Sequence, residues 1–221
     1  MLSKKPAVTA ALLAGLLSMT MAGQAYAAPS PAPQPVSGER YLTAMVNGKE
    51  TKYLAPARND VELQAQINAH LKRAPGGVQI SKNQISYMGG KFIMTFALPG
   101  QVEGTDPTRS APDVAADPTN STALAGSSKC SALWFCFFDG VNYTYPRGQL
   151  SDCGFQDLNS FGWVDRVESV AQNLLGGYVD YRNHTSGGHG NDEFLFFTDT
   201  LYTQHSTVPY PNVADHVYNN C

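Results

Sequence analysis

Cys130, Cys136, Cys153 and Cys221 are the side chains of this 221-residue chain whose type and spacing specify chemistry most directly. An even cysteine count behind an export signal points to disulfides, and four cysteines allow three pairings. The five residues between Cys130 and Cys136 make a small loop that closes easily, which leaves Cys153 to bridge Cys221. In a loop-entropy model the long bridge contributes about 4 kcal/mol and the short one about 2. No Cys-x-x-Cys pair and no histidine spacing around the cysteines suits a zinc site.

The other reactive types do not line up. His184, His189, His205 and His216 are scattered along the chain, and the run from His184 to Asp192 reads as a polar loop. Ten carboxylates fall between residues 130 and 221, but none sits in an acid–base motif. Gly-x-Ser-x-Gly elbows, His-Glu-x-x-His helices and glycine-rich phosphate loops do not occur. Asn120, Asn142 and Asn183 head N-x-Ser/Thr triplets and read as turn residues. Cysteines held as disulfides are not nucleophiles. The expectation is a protein that is not an enzyme and carries no cofactor.

Lys4 and Lys5 precede an apolar stretch from Ala7 to about Gly23, followed by Ala25-Tyr26-Ala27. That is the pattern of a signal peptide over 1–28, so an extracellular protein is expected, free of the membrane after cleavage. No later apolar run approaches the roughly 20 residues needed to span a bilayer. The formal charge is −3, which excludes a general nucleic-acid binder, whose mark is a basic excess.

The elements that must position any site divide by composition. A proline-rich lead-in covers 29–38. Residues 39–98 carry a net charge of +4 and residues 130–221 a net −7, so electrostatics permits the two to dock. Between them, 99–129 is rich in Pro, Gly, Ser, Thr, Asp and Ala, with no aromatic residue, and reads as a flexible linker. In 39–98, Asn47-Gly48 marks a hairpin over Tyr41–Leu54. Asn59-Asp60 offers a helix start before Leu63, Ile67 and Leu71, and Gly89-Gly90 turns a second hairpin. Hairpin, helix, hairpin makes a small α+β domain.

Residues 130–221 hold 17 of the 23 aromatic residues, so the main core is placed there. Short aromatic runs separated by turn residues predict an all-β sandwich or barrel. Asp165–Asn173 and Asn212–Asn220 align at an offset of 47, pairing Asp165 with Asn212, Val167 with Ala214, and Glu168 with Asp215. Two related units of about 45 residues suit two Greek keys packed as a sandwich.

This segment resembles the secreted bacterial peptidase inhibitors related to the Streptomyces-type metalloproteinase inhibitor. The resemblance rests on the Cys130/Cys136 opening, on Asp139-Gly140-Val141-Asn142-Tyr143 after an aromatic strand, and on Gly162-Trp163-Val164-Asp165-Arg166 with Ser169-Val170. It implies a mainly β chain with a C-terminal βγ-crystallin-like double Greek-key sandwich, and a secreted peptidase, above all a metallopeptidase, as partner. Tyr145 stands where the crystallin signature has glycine, so a local rearrangement is expected. Of the ligands of calcium-binding relatives only Asp165 and Ser169, then Asn212 with Asp215, remain. That set is depleted for an ion needing about six to eight oxygens.

The relatives inhibit through a loop closed by a second short disulfide, which has no counterpart here. The small loop available is Cys130–Cys136, which could offer Leu133 or Phe135 to a hydrophobic pocket. The alternative function is a structural or cell-envelope and carbohydrate module without inhibitory activity, using Trp134, Tyr143, Tyr145 and Trp163 as exposed aromatics. Those four are otherwise Greek-key core and corner residues.

Overall fold

The structure is a computed structural model that describes residues 39–101, 129–185, 189–199 and 203–221. The expected signal peptide, the lead-in and linker residues 102–128 lie outside the described residues. Strands β1 (Tyr41–Val46) and β2 (Lys49–Leu54) form the expected hairpin. Its turn residues Asn47 and Gly48 have φ of 50° and 79°, a conformation that asparagine and glycine tolerate.

Helix α1 (Asp60–Arg73) begins where the Asn59 side chain accepts the Glu62 N–H at 2.9 Å. Leu63 and Ile67 are buried along one face, with Leu71 packed at its margin. Strands β3 (Val78–Ser81), β4 (Gln84–Tyr87) and β5 (Phe92–Thr95) then run as an antiparallel meander.

The second half is built of strands joined by turns and short 3-10 segments: β6 (Phe135–Gly140), β7 (Thr144–Leu150), β8 (Gly154–Asp157), β9 (Ser169–Gln172), β10 (Tyr178–Asn183), β11 (Glu193–Asp199), β12 (Gln204–His205) and β13 (His216–Asn220). A seven-stranded sheet has the order β12-β9-β6-β7-β5-β4-β3, and a four-stranded sheet the order β11-β10-β13-β8. The two stretches of opposite charge therefore share a sheet, because β5 pairs with β7 from Phe92↔Leu150 to Thr95↔Arg147. They also share a core that runs from Leu54 through Phe92, Phe137 and Trp163 to Val217. Composition could not report this, since strand edges join through peptide groups that carry no net charge.

β8 comes from the first half of the duplicated segment yet pairs with β13, while β12 comes from the second half and pairs with β9. The aligned residues Asp165 and Asn212 both have φ of 55°. Their backbone bonds are reciprocal: Asp165 N–H donates to Ala214 at 3.1 Å, and Asn212 N–H donates to Val167 at 3.0 Å. The two aligned segments thus bond to each other reciprocally, and each half lends a strand to the other's sheet.

Tyr145, at the position expected to match a signature glycine, does not take left-handed backbone. That role shifts upstream to Asn142 and Tyr143, with φ of 53° and 64°. Glycine is required at Gly148 for a different reason. It faces Phe137 across the sheet, and a Cβ there would come within 2.3 Å of the ring.

Two disulfides close the expected loops, Cys130–Cys136 and Cys153–Cys221, each with a Cα separation of 5.6 Å. They fit an oxidising environment. Among the described residues no helix is long and apolar enough to cross a membrane.

Candidate functional site

The Cys130–Cys136 bridge seals a short loop against the start of β6. Asn173, just beyond β9, holds it by both backbone and side chain. Its carbonyl accepts the Leu133 N–H at 2.8 Å, its N–H donates to the Trp134 carbonyl at 2.9 Å, and its Nδ2 donates to the Cys130 carbonyl at 2.9 Å. Leu133 sits at the tip with φ of 68° and 54% of its surface exposed. A leucine in left-handed backbone carries strain of about 1–2 kcal/mol. The loop is braced, and its exposed side chain is apolar.

The other residue expected on this loop is not presented. Phe135 is the first residue of β6, opposite Leu150 and Gln172, and its ring is fully buried in the core. The strand begins one residue earlier than an exposed role would allow.

The remaining sequence candidates are dispersed. Trp163 is buried beneath the Arg166 guanidinium, which lies 4.7 Å from its ring centroid, and Tyr145 is buried against Phe138. Both are core residues and not an exposed aromatic cluster, because their strands and corners turn the large rings inward. Trp134 and Tyr143 are half-buried at the edge of a smaller apolar cluster formed by Phe138, Tyr145, Cys130, Cys136, Ala97 and Ala171.

Of the four expected calcium residues, Ser169, Asn212 and Asp215 make other hydrogen bonds. The Ser169 hydroxyl donates to the Gly140 carbonyl at 2.6 Å and accepts the Tyr143 N–H at 3.0 Å. Asn212 Nδ2 donates to the buried Glu168 carboxylate at 2.6 Å. Burial, with the nearby Asp215 charge, pushes Asp165 up to about 6. Burial also raises Asp215, which accepts the His184 N–H at 2.9 Å.

The structure instead gathers residues that look scattered in sequence. His184, His189, Asp192 and His216 converge so that their ligand atoms all lie within 4.8 Å of one another. The juxtaposition follows from pairing: β13 lies beside β10 with His216 opposite Arg182, and His184 just after β10, with His189 and Asp192 just before β11, meets His216 there. Asp192 is central, with Oδ1 3.0 Å from His184 Nδ1 and Oδ2 3.5 Å from His189 Nδ1 and 2.7 Å from His216 Nδ1. Burial alone would raise its carboxyl, but the neighbouring His184 and His216 outweigh that and hold it below the usual range.

Phe155 packs against the His189 and His216 rings, with centroids 4.6 and 5.0 Å away. The histidine and aspartate types, not their spacing, were the available sequence signal. Outside the cluster, the outward face of the four-stranded sheet carries a cross-strand row Phe155–Tyr218–Asp180–Phe197, all partly or largely exposed.

Compared with protein-family models, curated proteins and solved structures, the chain matches none.

Proposed function

We propose that this chain is a secreted, non-enzymatic inhibitor of a metallopeptidase, built on a βγ-crystallin-like double Greek key. The exchange of β8 and β12 between the halves, with the reciprocal bonds of Asp165 and Asn212, supports that fold assignment. The observation that carries the function is Leu133, apolar, exposed and fixed on a bridged loop by Asn173. A loop already ordered before association loses little entropy on binding, so its contacts convert efficiently into affinity. An apolar side chain at its tip suits an enzyme with a hydrophobic specificity pocket. The full chain, oxidised, is titrated against a thermolysin-type metallopeptidase and against a serine peptidase. Stoichiometric loss of the metallopeptidase activity alone supports the proposal; no loss at large molar excess removes it.

A second reading has its own observation. The row Phe155–Tyr218–Asp180–Phe197, flanked by Tyr178, sets aromatic faces beside a carboxylate, as a carbohydrate-binding surface would. Retention on cell-wall polysaccharide that is lost in Phe197→Ala, without peptidase inhibition, would favour it.

A further inference from the structure

The geometry points to a transition-metal site of the zinc class formed by His184, His189, Asp192 and His216. Three imidazoles and one carboxylate are the donor types such an ion takes, and four protein donors describe a closed, structural site. Calcium is a poor match, because it is bound by oxygen and three of these four donors are nitrogen.

Two features separate this cluster from an ordinary network of paired histidines. The first is burial without satisfaction. The Asp192 and His216 side chains are only 1% and 5% exposed. Their atoms Oδ2 and Nδ1 approach to 2.7 Å, yet each is a buried polar atom without hydrogen-bond geometry to any partner. Such atoms cost free energy unless something satisfies them, and an ion between them would satisfy both.

The second feature is convergence. The three imidazole rings lie with centroids 4.7–5.7 Å apart, a crowding that a shared cation explains and that three protonated rings would oppose. A tetrahedral zinc site has donors about 3.4 Å apart, so on binding the most separated atoms close by roughly 1.4 Å and the Asp192–His216 pair opens by roughly 0.7 Å. His184 and His189 are exposed and can make the larger movement, while the buried Asp192 and His216 shift less.

The surroundings orient the donors. His216 presents Nδ1 inward while its Nε2 faces the Asp157 carboxylate at 3.8 Å, and Asp215 anchors the backbone of His184. Orienting carboxylates of this kind commonly stand behind metal-bound histidines. The bound ion would fasten His184, His189 and Asp192 to β13, the strand that runs into Cys221 of the Cys153–Cys221 bridge.

The test uses the full oxidised chain without an affinity tag, titrated separately with Zn²⁺, Co²⁺ and Ca²⁺. One equivalent of Zn²⁺ binds, Co²⁺ gives the intense visible absorption of a four-coordinate site, and Ca²⁺ produces neither heat nor a thermal shift. His189→Ala, an exposed position that leaves the fold intact, weakens Zn²⁺ by about 100-fold or more. His205→Ala, on β12 in the other sheet, binds as wild type does. Absence of stoichiometric Zn²⁺ binding, or equal affinity in the His184→Ala/His189→Ala double variant, overturns the proposal.

Discussion

The Asn173 carbonyl accepts the backbone N–H of Leu133 at 2.8 Å, tying the tip of the bridged loop to the sheet beneath it. The disulfide closes the loop, and Asn173 determines where its tip stands. Replacing the side chain removes the donor to the buried Cys130 carbonyl and leaves the two backbone bonds intact. Asn173→Ala is therefore expected to cost about 1–3 kcal/mol. Denaturant unfolding of the oxidised protein checks this, and an unchanged midpoint would show that the side chain does not brace the loop.

Asp139 joins the first hairpin to the second half. Its Oδ1 accepts from Arg166 Nε and its Oδ2 from the Leu54 N–H, both at 2.6 Å, and the two side chains are almost wholly buried. Burial alone would lower the Arg166 pKa, but the Asp139 charge and hydrogen bond outweigh it and raise it. Asp139→Asn leaves a buried guanidinium without its counter-charge and is expected to destabilise by about 3–5 kcal/mol. The double variant Asp139→Leu/Arg166→Met recovers part of that. The remaining deficit, about 1–3 kcal/mol, reflects the orphaned Leu54 N–H. Equilibrium unfolding of the single and double variants measures both steps.

His70 lies on the buried face of α1 between Tyr87 and Phe96. Burial, then the Arg166 and Arg73 charges, hold its pKa well below the ordinary value of 6.5. The folded state therefore disfavours the protonated ring. Its contribution to stability is full above about pH 6.5, the unfolded value, and is lost as pH falls through the lower folded value. His70→Phe should unfold with a shallower pH dependence below about pH 6.5 than wild type. Parallel slopes in the two proteins would contradict the assignment.

What the sequence made legible is mostly local. The Asn47-Gly48 turn, the Asn59 cap and the Cys130/Cys136 spacing each act over a few residues, where side-chain chemistry alone decides the backbone. The alignment of Asp165 with Asn212 was also visible, and both take the same left-handed backbone. What stayed hidden depends on long-range pairing. β5 meets β7 through backbone edges that leave no trace in composition. His216 reaches His184 and Asp192 only because β13 lies against β10. Phe135 and Trp163 show the same limit: a large aromatic residue reads alike whether a strand turns it inward or out.

Leu133 carries the central claim, and its backbone allows the fold and the contact to be separated. Glycine adopts φ of 68° without the strain that leucine bears there, so Leu133→Gly keeps the loop while removing the side chain. Burial of a leucine in a partner's pocket is worth about 1.5–3 kcal/mol. The decisive measurement is the inhibition constant of wild type and Leu133→Gly against a thermolysin-type metallopeptidase, with thermal unfolding of both. We predict a variant that unfolds no earlier than wild type and inhibits about 10- to 150-fold less well. Equal inhibition by the two proteins would contradict the account, as would a wild-type protein that leaves the peptidase fully active.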